Sequence, residues 1–302
     1  MAGPSRKLSN PYHHFVSDFA RLFQAGKKLP LGKSVARKRI SCRSSAPLAL
    51  IFSPHPDDEC LVGGLALRLQ REAKFRVINI AVTFGSRPAR HKARLKELSN
   101  ACEFLGFGLE QITPGGLKQI NLATRTKSPK PWAAAVHATA ALLRRHQPDL
   151  IFLPHTNDCH PTHIGTHWLV MDALATLPPN FQCTLIETEF WGQLASPNLL
   201  VQSSVTDVAD LVAALALHVG EVRRNPYHLR LPAWMQDNVR RGAELVGGTG
   251  GKAPDFTFAT LYRLRQWKNR KAQEVPNGGK LLSCRNNPTV LVTTGHPIKR
   301  RQ

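Results

Sequence analysis

Residues 53–59 read Ser-Pro-His-Pro-Asp-Asp-Glu, which places one imidazole, His55, and three carboxylates, Asp57, Asp58 and Glu59, within five positions. A chain segment leaving a sheet with one neutral nitrogen donor and several oxygen donors can hold a divalent metal and still keep a carboxylate for proton transfer. The plainer alternative is an acidic turn capping the next helix, where carboxylates meet the positive end of the helix dipole. A second cluster weighs against that alternative. Residues 158–163 read Asp-Cys-His-Pro-Thr-His and follow a short apolar run at 150–153, just as the first cluster follows the apolar run at 48–52. Clusters at the ends of parallel neighbouring strands meet, because ligand crevices in open α/β sheets lie outside the carboxyl ends of the strands.

The elements that position these clusters alternate along the chain. Apolar, strand-like runs occur at 48–53, 75–83, 109–112, 150–153 and 185–190, with a last candidate at 256–262. Helical patterns fall between and after them, at 61–71, 89–105 (stopped by Gly106), 132–146, 163–176, 208–220 and 234–246. This alternation predicts an α/β fold, a Rossmann-like, mostly parallel sheet with helices on both faces. The stretch from 113 to 131 reads as irregular and basic. Phe15, Phe19, Leu22 and Phe23 have the spacing of one short amphipathic helix before the first strand. The expected organisation is a basic N-terminal extension at 1–46, a catalytic domain at 47–262 and a basic C-terminal tail at 263–302.

The 302-residue chain has a formal net charge of +21. Residues 1–46 carry ten Lys and Arg against Asp18 alone, and residues 263–302 carry ten against Glu274 alone. The two ends therefore hold most of the charge, and the body is nearly balanced. Such ends serve as solvated extensions, subunit contacts or anchors to a polyanion. Neither end interleaves aromatics with its basic residues as a nucleic-acid stacking platform does, so nucleic-acid binding is not expected. Cys42, Cys60, Cys102, Cys159, Cys183 and Cys284 form no Cys-x-x-Cys pair, which suits the reduced thiols of a cytoplasmic protein. No apolar run reaches bilayer-spanning length. The Gly-rich stretch at 247–251 lacks the Lys-Ser/Thr of a phosphate loop, and no Gly-x-Gly-x-x-Gly follows the first strand, so a nucleotide site is not expected.

Together the two clusters resemble the PIG-L (LmbE-like) family of zinc-dependent deacetylases, whose motifs are His-Pro-Asp-Asp-Glu after the first strand and His-Pro-Asp-His after a later one. The first motif is complete here, and the second appears as His160-Pro161-Thr162-His163. The resemblance runs from about residue 48 to 261 and includes Arg94-Leu95-Lys96-Glu97 with Ala101 and Leu105-Gly106 after it. It implies Zn2+ held by His55, Asp58 and His163, with Asp57 as the proton acceptor from the metal-activated water. It also implies that His160 acts on the acyl oxygen and the leaving amine. Thr162 stands where the family has an aspartate that orients this histidine, so either Asp158 substitutes or the histidine has a lower pKa than usual. Glu59 would brace a ligand histidine.

Arg94 is a candidate for hydrogen-bonding substrate hydroxyls, with a surface ion pair as the alternative. Glu189 and Trp191 follow the next strand as substrate-binding candidates; Trp191 would either stack on a sugar or fill the core. His155 and His167 flank the motif as pocket or capping residues. At Pro114-Gly115-Gly116 the chain has glycine where relatives often carry a sugar-binding aspartate. The implied activity is a metal-dependent hydrolase that removes acetyl from an N-acetylated amino sugar or conjugate by zinc-hydroxide attack on the amide. The rivals are a same-family amidase acting on a thiol-conjugated amino sugar and a non-catalytic metal- or nucleic-acid-binding protein. A homo-oligomer is compatible with either reading.

Overall fold

The structure, a computed structural model, describes residues 10–33, 43, 45–275 and 280–293. Parts of both basic ends, and most of the expected linker around 33–45, lie outside the described residues. The chain enters through α1 (His13–Gly26) and then β1 (Leu48–Ser53), all six residues of which are buried. Strand side chains alternate between faces. Leu48, Leu50 and Phe52 therefore join one apolar cluster, while Ala49 and Ile51 join the other. A strand buried on both faces reads as a continuous apolar run, and the sequence shows one here.

After β1 come α2 (Asp58–Leu61), α3 (Gly64–Arg71), β2 (Arg76–Ala81), α4 (His91–Leu105), β3 (Gly108–Gln111), α5 (Leu122–Lys127), α6 (Pro129–His146), β4 (Leu150–Pro154), α7 (Pro161–Ala175) and β5 (Cys183–Thr188). These five strands are parallel in the order β3-β2-β1-β4-β5. Helices α3 and α4 cover the face with Ala49 and Ile51, whereas α6 and α7 cover the face with Leu50 and Phe52. The chain builds outward from β1 to β3, then crosses back to place β4 on the other flank of β1. Strand order therefore reverses between β1 and β4, the kind of switch point at whose strand carboxyl ends ligand crevices form in open α/β sheets.

The remainder is β6 (Leu199–Ser203), α8 (Val205–Leu215), α9 (Val219–Val222), a 3-10 turn (Tyr227–Arg230), α10 (Leu231–Leu245), β7 (Phe258–Lys268), β8 (Lys271–Glu274), β9 (Lys280–Leu282) and α11 (Val290–Thr293). β7 lies antiparallel between β5 and β6, β9 extends the sheet beyond β6, and β8 folds back on the end of β7. The expected tail from residue 263 thus begins inside a strand. Arg263 and Arg265, read as tail charge, project from β7 beside Glu274, and Arg265 also faces Glu187 at 3.5 Å. β6 and α5 were not expected from the pattern. Both are short, and α5 is polar, started by Asn121 accepting the Thr124 N–H at 2.9 Å.

The single helix expected at 61–71 is split at Val62 and Gly63. Gly63 has φ +82°, and a Cβ there would lie 2.4 Å from Thr260 Oγ1 and 2.5 Å from the Tyr262 hydroxyl. That hydroxyl donates to Val62 O at 2.7 Å and accepts from Leu65 N at 3.3 Å, fastening the break to β7. Gly115 has a similar φ of +81° but open space around it. Gly115→Ala is expected to cost only the left-handed backbone penalty of about 1–2 kcal/mol. Gly63→Ala adds overpacking and is expected to cost at least about 3 kcal/mol in urea unfolding. Equal losses would show that the approach of β7 does not impose the break.

Candidate metal centre

β1 delivers the chain to Pro54, and the next turn is fastened to β2 by Thr83, whose N–H and hydroxyl both donate to Pro54 O. His55 and Asp58 are three residues apart across this turn, and the Asp58 carboxylate accepts the His55 N–H at 2.8 Å. From the neighbouring strand end, α7 begins at Pro161 and presents His163 from its first turn. His55 Nδ1 lies 3.2 Å from His163 Nε2 and 3.5 Å from Asp58 Oδ2, and His163 Nε2 lies 3.4 Å from Asp58 Oδ2. Three donor atoms from two distant loops thus form a nearly equilateral triangle. Asp58 and His163 are buried, while His55 keeps a partly open edge.

The other face of His163 is supported by Asp158. Its Oδ1 lies 3.6 Å from His163 Nδ1, and its carboxylate accepts backbone N–H groups of His160, Trp191 and Gly192. Asp158 therefore supports His163 and not the His160 ring, so it does not take over the place of Thr162. The Thr162 main chain makes the contact instead, its N–H donating to His160 Nδ1 at 3.2 Å. Because Nδ1 accepts, the neutral His160 ring carries its proton on Nε2. The ring packs edge-on to His55 with centroids 4.7 Å apart. Burial, followed by the neighbouring His55 and His163, holds the His160 pKa below the usual range.

Asp57 adopts φ +117°, a conformation costly for any residue with a side chain, by about 1–3 kcal/mol. Two contacts hold it there. Its N–H donates to Glu59 Oε2 at 2.9 Å, and the Tyr227 hydroxyl donates to its Oδ2 at 2.5 Å. Burial, and then the Asp58 charge, push the Asp57 carboxyl up to about 7, against opposing pulls from His218, Arg94 and the Tyr227 hydrogen bond. Glu59 does brace the loop, but through His218 at 2.6 Å and not through a histidine of the triangle.

Glu59, Cys60 and His218 form a second compact group of donors. Its members are already paired, since Cys60 Sγ and the His218 ring both contact Glu59 Oε1. Burial, then Glu59, holds the Cys60 thiol well above its ordinary value.

The three residues expected to bind substrate separate. Arg94 turns inward, donating to Pro56 O at 3.0 Å and standing 3.9 Å from Asp57 Oδ2. Glu189 is buried against Arg241 in a two-pronged pair at 2.8 and 3.0 Å, and it also accepts the Leu194 N–H. Trp191 is 51% exposed, with its ring edge-on to Tyr227 at 6.0 Å, so it stands at the rim and not in the core. His155 and His167 bond to Gly192 O and Pro154 O as loop braces. Gly115 lies in an open turn.

Sequence reasoning missed Tyr227 and His218. They stand 170 and 159 residues from their partners, in segments with no motif to mark them.

Residues 50–174 match the model of the PIG-L family, described as GlcNAc-PI de-N-acetylase. The match runs from β1 through α7 and contains both loops of the triangle. The likeness to that family is therefore carried by this segment, 125 of the 302 residues. No curated protein sequence matches the chain significantly. Among solved structures, a conserved protein of Thermus thermophilus is 20% identical with a TM-score of 0.52, over 72% of this chain and 93% of the other. The 4-carboxy-2-hydroxymuconate hydratase GalB of Pseudomonas putida is 18% identical with a TM-score of 0.52, over 72% and 95%. The N,N'-diacetylchitobiose deacetylase of Pyrococcus horikoshii is 17% identical with a TM-score of 0.51, over 86% and 94%. At these identities the likeness is one of fold.

Glu189→Gln separates a structural role from substrate contact. It leaves the Arg241 guanidinium buried without its ion partner, so unfolding stability is expected to fall by about 3 kcal/mol with KM little changed. Unchanged stability with a raised KM would return Glu189 to the substrate.

Proposed function

We propose that this protein is a zinc-dependent hydrolase that removes acetyl from an N-acetylated amino sugar or a conjugate containing one. The observation that carries the reading is the triangle of His55 Nδ1, Asp58 Oδ2 and His163 Nε2. Its edges of 3.2, 3.4 and 3.5 Å match the separation of about 3.3–3.4 Å between two donors of a tetrahedral zinc with bonds of about 2.0–2.1 Å. Two imidazoles and one carboxylate are also a donor set that leaves a fourth position for substrate or water. The fold alone does not select the reaction, since the same fold is found in a hydratase and a deacetylase. The de-N-acetylase description of the matched family favours amide hydrolysis.

Zinc in this site supplies Lewis acidity, polarising an acyl oxygen and making water acidic near neutral pH. The remaining steps fall to side chains. Asp57 takes a proton on Oδ1, because Oδ2 is occupied by the Tyr227 hydroxyl. Tyr227 and Arg94 keep that carboxylate aimed while it is negative. His160 stays neutral and gives the developing oxyanion an Nε2–H hydrogen bond, and the proton that Asp57 took from the attacking water passes to the departing amine as the C–N bond breaks. With a main-chain N–H on Nδ1 in place of a carboxylate, His160 starts as a neutral donor. Trp191, at the rim, offers its face to a sugar ring. Cytoplasmic location and reduced thiols complete the reading; among the described residues no helix is long and apolar enough to cross a membrane.

The test is acetate and free-amine release from N-acetylglucosamine, its phosphates and its glycosides, with and without a chelator. Asp57→Asn is expected to lower turnover by about 10²–10⁴-fold with bound zinc unchanged. Tyr227→Phe is expected to lower it by about tenfold and to cost about 1–3 kcal/mol of unfolding stability, because a largely buried carboxylate oxygen loses its donor. Undiminished turnover in Asp57→Asn, or turnover indifferent to chelation, would overturn the proposal. Release of a larger acyl group without acetate release would favour the amidase rival.

A further inference from the structure

α1 divides cleanly into two faces. Phe15, Phe19 and Leu22 recur at the i, i+4, i+7 spacing, with Val16 and Phe23 beside them, while Ser17, Asp18, Arg21 and Gln24 occupy the opposite side. A helix of this pattern ordinarily turns its apolar face into the core. Here Phe15 is 70% exposed, Val16 61%, Phe19 49% and Leu22 69%, and no residue of α1 is buried. Its last turn touches the body. The Arg230 guanidinium lies 4.4 Å from the centre of the Phe23 ring, and Gly26 abuts Leu229. Three turns of apolar surface therefore face outward. The surface continues past the helix, where Leu29 and Pro30 wall an apolar groove of about 500 Å³ with Val205, Val212 and Leu229. Leu29 and Val205 are themselves 62% and 70% exposed.

We infer that α1 docks this protein on an anionic lipid bilayer, lying in the interface with Phe15, Val16, Phe19 and Leu22 sunk among the acyl chains. Three observations favour a membrane over other occupants. The first is charge: residues 1–46 carry ten Lys and Arg against Asp18 alone, with Arg6 and Lys7 before the helix in sequence and Lys27, Lys28 and Lys33 after it, a positive balance that anionic lipid attracts. The second is repulsion: a second copy of this chain would bring an equally basic segment against the first, opposing pairing through this face. The third is length: fourteen residues span about 21 Å, too short to cross a bilayer but suited to lying along one.

The 3-10 turn on which α1 rests, Tyr227–Arg230, also supplies the hydroxyl that holds Asp57. Docking would therefore load the turn that supplies this hydroxyl. The inference stands apart from the hydrolase proposal, because binding to lipid is measured without turnover.

The test is co-sedimentation of the full chain with vesicles of phosphatidylcholine, alone or with about one-third phosphatidylserine, at low and high salt. Binding is expected to be at least about tenfold stronger with phosphatidylserine and to fall as salt rises. The combined variant Phe15→Ser, Phe19→Ser and Leu22→Ser is expected to bind at least about tenfold more weakly. Its melting curve should match the parent, since these side chains support no core. In a separate Phe19→Trp variant, tryptophan emission should shift to the blue on adding phosphatidylserine vesicles, a readout independent of the triple substitution. Absence of sedimentation by the parent, equal sedimentation by the triple variant, or an unshifted emission would overturn the inference. So would light scattering that shows the parent pairing through these side chains while vesicles leave it in solution.

Discussion

Three donor atoms that ordinarily avoid one another, two imidazole nitrogens and a carboxylate oxygen, are held within 3.5 Å in a largely buried cleft. Crowding such groups away from water is unfavourable unless a shared positive charge compensates them. The surrounding structure is arranged to keep them there. β1 and β4 must be parallel neighbours, their loops must turn toward each other, and a carboxylate must stand behind His163. Each condition is met by a specific contact: the β1–β4 register, the fastening of Pro54 by Thr83, and Asp158 at 3.6 Å from the buried His163 ring.

Around that triangle, polar groups fall into two sets. One set keeps contact with solvent: the partly exposed Asp57 and His160 and the exposed Trp191. The other set points away and holds the first in place. Tyr227 and Arg94 fix Asp57 from its flank, His218 fixes Glu59 beneath it, and the Arg241–Glu189 pair anchors the segment that carries Trp191. The positive φ of Asp57 is the visible cost of presenting a carboxylate at that spot, and the Glu59 and Tyr227 contacts offset it. Replacing the family aspartate by Thr162 leaves His160 positioned by a main-chain N–H, so its ring is oriented without being charged.

Much of this was legible in the chain. Apolar runs ending in His55-Pro56-Asp57-Asp58 and His160-Pro161-Thr162-His163 marked the strand ends, and the alternating elements set their order. What stayed hidden depends on tertiary contact. Tyr227 and His218 carry no local pattern because their roles arise only when α8, α9 and the turn before α10 fold over the first loop. Glu189 looked like a substrate contact because a charged residue after a strand reads alike whether it faces the crevice or a buried partner, and Arg94 because a helix arginine reads alike whether it reaches solvent, substrate or a neighbouring loop. Arg263 and Arg265 looked like tail because basic residues on the half-covered face of a strand break the apolar signal that marks one. The break at Gly63 was invisible for a related reason: its cause, the Tyr262 hydroxyl, lies in a strand about two hundred residues away.

The most direct test of the central claim is X-ray absorption at the zinc edge on the zinc-loaded full chain. The geometry predicts a shell of light atoms only, at about 2.0–2.1 Å, with the multiple-scattering signature of two imidazoles that falls to one in His163→Ala. A sulfur at about 2.3 Å, which would place the ion at Cys60, or a spectrum unmoved by His163→Ala, would contradict it.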